Sequence, residues 1–509
     1  MSVTDRESKP VVCEASAPGK VLICGGYLIV QPGSMGLSIS VSARFKTVVT
    51  SVEVVVESSQ NKVEEKPDKR NKNHIHVVIH SPQLSTEAQF NVFIGGEVGG
   101  EVLRNATVEV DIRTKKSSPF LTCSVLYAFT SLCSLVRPET LFQFSTIHLT
   151  LLASNEFYSQ RNYLERMHQP VTIAQLRRVP EHNTIVGELS KTGLGSSAAM
   201  TTSVVACLHR LFYVEAEREV ERIHRVAQVA HSVAQGKIGS GFDVFTAVYG
   251  TCVYRRFDGA LVERIMLENN NNSNVDVPMQ CAASLLEAVV SPAQQWVDRP
   301  PSLSSGLPRG VLLVLGDVHK GGSATPGMVA MVMAWRKSVA DEPHNLWEQL
   351  GQANVRYLHA LSHLIELGRS TETAEVEVYD AALQHMASNP AENWDADESN
   401  HNENVGDVRR KFKDAAACAN ACRRLLRDVG HHAKVAIEPA ELTPLIDATG
   451  RLDGVLAAGC PGAGGYDAIF ALVASSSAAR KVEEFWEQYA ALAVCPLPVS
   501  EDSRGLSFS

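Results

Sequence analysis

This sequence predicts a mixed α/β protein of two domains, on three observations. Apolar runs of strand length alternate with longer runs at helical spacing, the pattern of layered sheets and helices. The chain has 509 residues, enough for two or three domains at ~100–200 residues each. A polar, proline-bearing stretch, Glu268–Pro308, separates two such halves. We expect an N-terminal domain over 1–267, a connection over 268–308 and a C-terminal domain over 309–509.

The elements follow in order. Lys46–Val56 and Ile75–His80 read as strands, with the charged, amide-rich Glu57–His74 as a loop between them. Val125–Val136 is the longest apolar run; it is short of a membrane span and carries Thr130, Ser131 and Ser134, so it reads as a buried helix. Ala199–Tyr213 is helical. Glu215–Gln235 places Val220, Ile223, Ala227, Ala230 and Ala234 on one helical face, with acids early and Gly236 to stop it. Glu268–Asp276, with Asn269–Asn272 in a row, is a loop. Gly310–Gly316 is a strand, and Pro326–Ser338, Leu346–Leu367 and Val408–Gly430 are helices, the last two separated by polar Asn389–Asp407. Val455–Ala458 and Ala468–Val473 are strands around a glycine turn.

Composition excludes several classes. Lys and Arg number 47 against 56 Asp and Glu, a net charge of −9. Nucleic-acid binding needs a surplus of cations, so it is not expected. A local anion site is still compatible, because backbone N–H groups and a few lysines can hold a phosphate in an acidic protein. No membrane span and no signal peptide are expected, since Met1–Pro10 lacks an apolar segment. Eleven cysteines without a CxxC pair fit reduced thiols inside the cell. Cys418 and Cys422, one helical turn apart, read as small apolar residues. The sequence carries no indication of oligomeric state.

Four segments carry chemistry. In Lys191-Thr192-Gly193-Leu194-Gly195-Ser196-Ser197-Ala198-Ala199, glycines expose backbone N–H groups just before a helix. A helix N-terminus offers unpaired donors and partial positive charge, which attract phosphate. Ser196 or Ser197 can cap that helix, reach a phosphate oxygen or approach Mg²⁺; a merely well-capped helix after a tight turn is the alternative. The P-loop pattern is absent, and GxGxxG fails because Ala198 stands in the last position and no apolar strand precedes it. Ala17–Tyr27 sets Lys20 at the head of an apolar strand between glycine turns. Ala458–Asp467 packs six small residues and Pro461 between two strands, as where backbone approaches another group closely. Gln235–Asp243 ends on a carboxylate flanked by glycines, with helix capping as its alternative role. Phosphate-binding amides, hydroxyls, a lysine and a carboxylate are the parts of phosphoryl transfer, where catalysis is mostly positioning and charge stabilisation.

On these segments the sequence resembles the GHMP kinase superfamily and, within it, the eukaryotic-type phosphomevalonate kinases. Ala17–Tyr27 resembles the first superfamily motif and Lys191–Ala199 the second, the ATP phosphate loop of form PxxxGLGSSAA, with Leu189 where the proline is expected. Gly459–Ala468 resembles the third. Asn155–Asn162, Gly236–Val244 and Gly321–Val329 resemble the narrower family. The resemblance implies the two-domain GHMP kinase fold, an N-terminal mixed sheet plus a ferredoxin-like C-terminal domain with the site between them. It implies transfer of a phosphoryl group from ATP, with Mg²⁺, to phosphomevalonate, giving diphosphomevalonate and ADP on the mevalonate route to isoprenoids.

It also implies roles. Lys191, Gly193, Leu194, Gly195, Ser196, Ser197 and Ala198 bind ATP, with one of the two serines near Mg²⁺. Lys20 and Asp243 are catalytic, and Lys320, Ser323, Thr325 and Gly464 hold the acceptor. Asn155–Arg161 is expected near the nucleotide. A phosphate monoester has a second pKa near ~6, so the acceptor oxygen is already largely deprotonated at neutral pH. We therefore expect Asp243 to position Lys20 or the metal more than to act as a base. Mevalonate kinase, a decarboxylase of the next intermediate or a non-catalytic relative are the alternatives. The location expected is cytoplasmic; Leu506–Ser509 is not an SKL-type signal, and a peroxisome-like organelle stays open.

Overall fold

The computed structural model describes residues 13–55, 74–99, 101–114, 117–185, 187, 189–270, 279–294, 296, 306–318, 325–339, 345–395 and 403–509. The expected loops at 57–74 and 268–276 lie largely outside these residues, as does much of the connection at 268–308.

The first sheet is built on β1 (Cys13–Cys24) and β2 (Met35–Val54), the latter rich in β-branched residues and alternating buried with partly exposed positions. Around them lie β3 (His74–Ser81), β4 (Thr86–Gly99), β5 (Val102–Ile112), β6 (Phe144–Ala153), β7 (Cys252–Arg255) and β8 (Met279–Ala282). The order is β1-β2-β6-β3-β4-β5-β8, with β7 also on β2 and the C-terminal pair Ser507–Phe508 on the outer edge of β1. The β3–β6 pair is parallel and the other ladders are antiparallel, so the sheet is mixed. Ile39, Val41, Phe45, Val77, Phe90 and Val108 point from it into one core.

Helices α1 (Pro119–Leu132), α2 (Ser196–Phe212) and α3 (Val220–Gln235) pack on one another, with α2 lying against β1 and β2. The helix expected at 125–136 begins six residues earlier, at Pro119, because proline suits the first helical position, where no N–H bond is lost. The long helix expected at 215–235 is a short 3₁₀ turn, Ala216–Arg218, followed by α3. α4 (Phe242–Tyr249) is held against β2 by Thr246, whose hydroxyl donates to Ser38 Oγ at 2.7 Å. In the same way Thr47 on β2 meets Ser203 on α2 at 2.9 Å, so these buried hydroxyls are paired.

The second sheet contains β9 (Leu312–Val318), β10 (Val455–Gly459), β11 (Ala468–Val473) and β12 (Val494–Pro496) in the order β10-β11-β9-β12, all antiparallel. Helices α5 (Thr325–Ser338), α6 (Leu346–Gly368), α7 (Thr373–Ala387), α8 (Glu403–Ala433) and α9 (Thr443–Thr449) fill the crossover between β9 and β10, and α10 (Ser476–Gln488) that between β11 and β12. This is the βαββαβ, ferredoxin-like arrangement with an enlarged first crossover. α10 buries Trp486, whose Nε1 donates to Thr449 Oγ1 on α9 at 2.9 Å. All eleven cysteines are free thiols; Cys422 is buried and Cys418 half-buried on α8, as small apolar residues.

The last residues cross back. β13 (Ser507–Phe508) pairs with Ala15 and Ser16 of β1, although the sequence assigns this segment to the second half. Arg44 of β2 holds the return: Nε donates to Ser16 Oγ and Nη2 to Ser16 O, both at 2.8 Å, and Nη2 also to Gly505 O at 2.6 Å. A pairing of two residues is marginal by itself, and the guanidinium fork reinforces it together with the backbone bonds between Glu14 and Ser509 and from Leu506 N–H to Val248 O.

Two stability predictions follow from these contacts. Arg44→Met leaves the carbonyls of Ser16 and Gly505 without their donor, and should cost ~2–4 kcal/mol, read as a lowered midpoint in urea unfolding. In the β10–β11 turn, Gly464 has φ +79° and a Cβ there would lie 1.9 Å from the Ile437 carbonyl oxygen. Gly462 has φ +68° but open space around it. Gly464→Ala should therefore destabilise by several-fold more than Gly462→Ala, which carries only the ~1 kcal/mol cost of a left-handed alanine.

Candidate active site

The cleft between the two sheets is lined by Lys20, Gly193, Leu315, Gly462, Gly464 and Asp467, among others. Three of the chain segments that form it, β1, the phosphate loop and the β10–β11 turn, are distant in sequence, and β1 binds the other two. β1 departs from regular register with β2 at Pro18–Lys20 and again at Leu22–Cys24. Around the first irregularity, Lys20 N–H donates to the Leu194 carbonyl at 2.8 Å, and around the second, Gly462 N–H donates to the Leu22 carbonyl at 2.9 Å. Tyr27 adds a 2.7 Å bond from its hydroxyl to Ala463 O. Lys20 is thus not at the head of the strand but within it, because β1 begins at Cys13 and Ala17 and Pro18 already pair with Phe45 and Arg44.

The phosphate loop ends in α2. Gly195, not a serine, is the N-cap, with φ +76°, and neither serine caps through its side chain. Ser196 and Ser197 are instead the first two helical residues, so their own N–H groups belong to the unpaired donor set. The left-handed turn at Gly195 also leaves room for Lys20, whose Cε would lie 2.8 Å from a Cβ there. Leu194 and Ala198 are buried beneath the loop, and Lys191 is exposed at its start. Asn155–Arg161 braces the loop from behind: Thr192 Oγ1 donates to Glu156 O at 2.5 Å, Ser159 N–H to Ser190 O at 2.9 Å, and Tyr158 bridges Lys191 across their backbones.

Lys20 Nζ donates to Gly193 O at 3.0 Å and lies 5.2 Å from the centre of the Phe242 ring. Burial in the cleft pulls its pKa below the usual lysine value, and the carboxylates of Asp243 and Asp467 oppose that shift through space. Asp243 sits in the first turn of α4, where Gly241 is the N-cap; its Oδ1 accepts the Val244 N–H at 3.0 Å. Its Oδ2 lies 3.8 Å from Nε2 of His231. The direct partner of Lys20 is therefore a loop carbonyl, and Asp243 acts on it electrostatically. Each serine has its own buried companion. Ser196 is buried beside Tyr158, a phenol that burial pushes up to about 12. Ser197 Oγ lies 3.1 Å from His231 Nε2.

The fold thus brings together Lys20, Gly193–Ala198, Asp243 and Gly464. Lys320 and Ser323 lie outside the described residues; Thr325 opens α5, seven residues beyond the end of β9. Asp467, Tyr158 and His231 are the participants that spacing alone did not single out as functional. Asp467 has a signal in hindsight: it is the first charged residue after the third glycine turn and heads β11. His231 has none, because on a helical wheel it counts as one more residue of an amphipathic face.

Comparison with known proteins agrees with this geometry. The family model for the GHMP kinases N terminal domain matches residues 152–251, and that for GHMP kinases C terminal matches residues 408–491. The peroxisomal phosphomevalonate kinase of Arabidopsis thaliana is 32% identical over 97% of this chain and 95% of its own length. The phosphomevalonate kinase of Gibberella zeae is 28% identical over 94% of this chain and 91% of that protein. In fold, the chain is similar to the Streptococcus pneumoniae phosphomevalonate kinase solved with phosphomevalonate and AMPPNP. The TM-score is 0.53 at 14% identity, over 96% of this chain and 99% of that one. With its three glycine-rich segments on one cleft and relatives matching it nearly end to end, this chain belongs to the phosphomevalonate kinase family of the GHMP kinases.

Proposed function

We propose that this protein transfers the γ-phosphoryl group of ATP to the phosphate of phosphomevalonate, releasing ADP and diphosphomevalonate. The observation that carries the reading is the shared cleft in which Lys20, the N-terminus of α2 and the β10–β11 turn face one another.

The chemical problem is to bring two polyanions together on a protein of net charge −9. Local groups solve it. The N–H donors at the start of α2 and the Gly193–Gly195 turn receive the β- and γ-phosphates, where helix dipole and unpaired amides favour negative charge. The Lys20 ammonium, oriented by Gly193 O, neutralises charge on the transferring group, and in a cleft of low dielectric that interaction is stronger than in water. The acceptor phosphate is already deprotonated near neutral pH, so proton abstraction contributes little. Asp243 and Asp467 keep Lys20 charged despite its burial.

Among the described residues no group of three carboxylate, His or Cys side chains could cage a metal. A Mg²⁺ carried on the nucleotide needs only one or two protein ligands, and Asp243 with one of the Ser196 and Ser197 hydroxyls fits that need. When bound, Mg²⁺ supplies further charge neutralisation between the phosphates. Acceptor binding is assigned to Lys320, Ser323, Thr325 and the backbone at Gly464. In support, Leu315 and Gly464 line the cleft and Lys320 follows two residues after β9 ends. Among the described residues no helix is long and apolar enough to cross a membrane. The compartment we favour is the cytoplasm, with a peroxisome-like organelle as the alternative that the Arabidopsis relative supports.

An ADP-release assay with Mg-ATP should show turnover on phosphomevalonate and none on mevalonate or diphosphomevalonate; ATP binding without turnover on any acceptor would support a non-catalytic relative. Lys20→Met should lower kcat ~10²–10³-fold, and more than Asp243→Asn does across pH 6–9. The reverse ranking overturns the role given to Lys20. Lys20 acts as the ammonium, so activity is present below its pKa and lost as pH rises through it. Because that pKa is lowered, the basic limb of kcat/KM should fall below the ~10.4 of an ordinary lysine and move upward in Lys20→Arg.

A further inference from the structure

Three histidines of the N-terminal half are buried on helices. His209 on α2 bonds Val205 O and Ser131 Oγ, and burial holds it down at about 4. His224 on α3 lies among Phe245, Tyr249 and Trp296. Both are accounted for by the core. His231, one turn before the end of α3 and 2% exposed, is different. It is wedged between the phosphate loop and the catalytic carboxylate.

We propose that His231 is a positioning residue for phosphoryl transfer, donating from Nε2 to Ser197 so that the serine hydroxyl turns its proton outward to a phosphate oxygen. The proposal rests on the kinase reading above and adds to it a proton arrangement behind the loop. The geometry favours one tautomer. Gln235 Nε2 lies 2.8 Å from His231 Nδ1 and 3.0 Å from Nε2, and the Asp243 carboxylate stands 3.8 Å from Nε2, so the anion draws the ring hydrogen to Nε2 and the nearer Nδ1 accepts from the amide. That hydrogen meets Ser197 Oγ at 3.1 Å. With one lone pair of Ser197 occupied, its own proton is left to point away from the ring, toward the mouth of the loop. In the opposite tautomer Ser197 would spend its proton on the histidine and present only lone pairs to an anion.

The surroundings keep the ring neutral and still. Phe120 of α1 packs against it, with ring centres 5.2 Å apart and planes inclined by 39°. Burial lowers its pKa, and Lys20 on β1, Lys191 at the phosphate loop and Lys237 after α3 lower it further, against Asp243 on α4. Asp243 Oδ2, 3.8 Å from the same Nε2, is too far for a hydrogen bond, but its charge favours the hydrogen on that nitrogen. One imidazole on α3 thereby couples the start of α2 to the start of α4.

A double-mutant cycle on the full-length chain, assayed with Mg-ATP and phosphomevalonate, tests this. Ser197→Ala and His231→Leu should each lower kcat ~10–100-fold with little change in the KM for phosphomevalonate. The double variant should stay within ~3-fold of Ser197→Ala alone, because the histidine acts through the serine. Losses that multiply would mean that His231 only packs, and overturn the proposal. His231→Asn, which keeps a donor, should recover part of the rate. If His231→Leu fails to fold, Gln235→Leu gives the same reading from a half-buried position. It should lower kcat in the wild-type background and not in Ser197→Ala, and full activity in Gln235→Leu would overturn the proposal. Wild-type turnover in the same assay separates the outcomes: its absence refutes the kinase reading, whereas its presence with a multiplicative cycle refutes the role of His231.

Discussion

The backbone of β1 holds both glycine loops of the cleft at once. Lys20 N–H reaches the phosphate loop and the Leu22 carbonyl reaches the β10–β11 turn, through two irregularities that release these groups from the ladder with β2. The relative position of the two sheets at the site depends on this strand. It is anchored on its outer edge by β13 and on its inner edge by the long β2, so displacement of β1 would move both loops together. The close backbone approach at Gly26 has the same origin, since a Cβ there would lie 2.7 Å from Gly462 O.

The site works against the charge of the whole molecule. An acidic surface repels two polyanionic substrates at long range, but that repulsion is screened within ~10 Å at moderate ionic strength. At contact distance the fixed donors decide, and they are concentrated in one place: helix N-terminus, loop amides and Lys20. The nearby side chains are arranged to keep that concentration intact. Tyr158 and His231 are neutral at the working pH because burial disfavours their ions, so they hold Ser196 and Ser197 without adding charge that would compete for phosphate.

Much of the second half was legible because strands such as Ala468–Val473 are short and fully apolar. The hairpin β4–β5 was not. Its residues alternate charged with apolar, as in Val108-Glu109-Val110-Asp111, and a one-sided strand of that kind near a sheet edge looks like loop. The return of the C-terminus was equally hidden: Ser507 and Phe508 form a strand only because Ala15, Ser16 and Arg44 offer them partners.

By itself the sequence determined the chemistry, because glycine spacing, a lysine beside a tight turn and serines before a helix are local requirements of a phosphate site. It also determined the fold class, through the alternation of strand and helix periods. The tertiary structure alone decided which groups touch. Lys20 faces Gly193 rather than Asp243, Gly195 rather than a serine caps α2, and His231 stands between Ser197 and Asp243. Lys20 and Gly193 are 173 positions apart, Ser197 and His231 34, and His231 and Asp243 12. Their geometry depends on how α2 and α4 pack against β1 and α3 against α2 and α4, which no local pattern encodes.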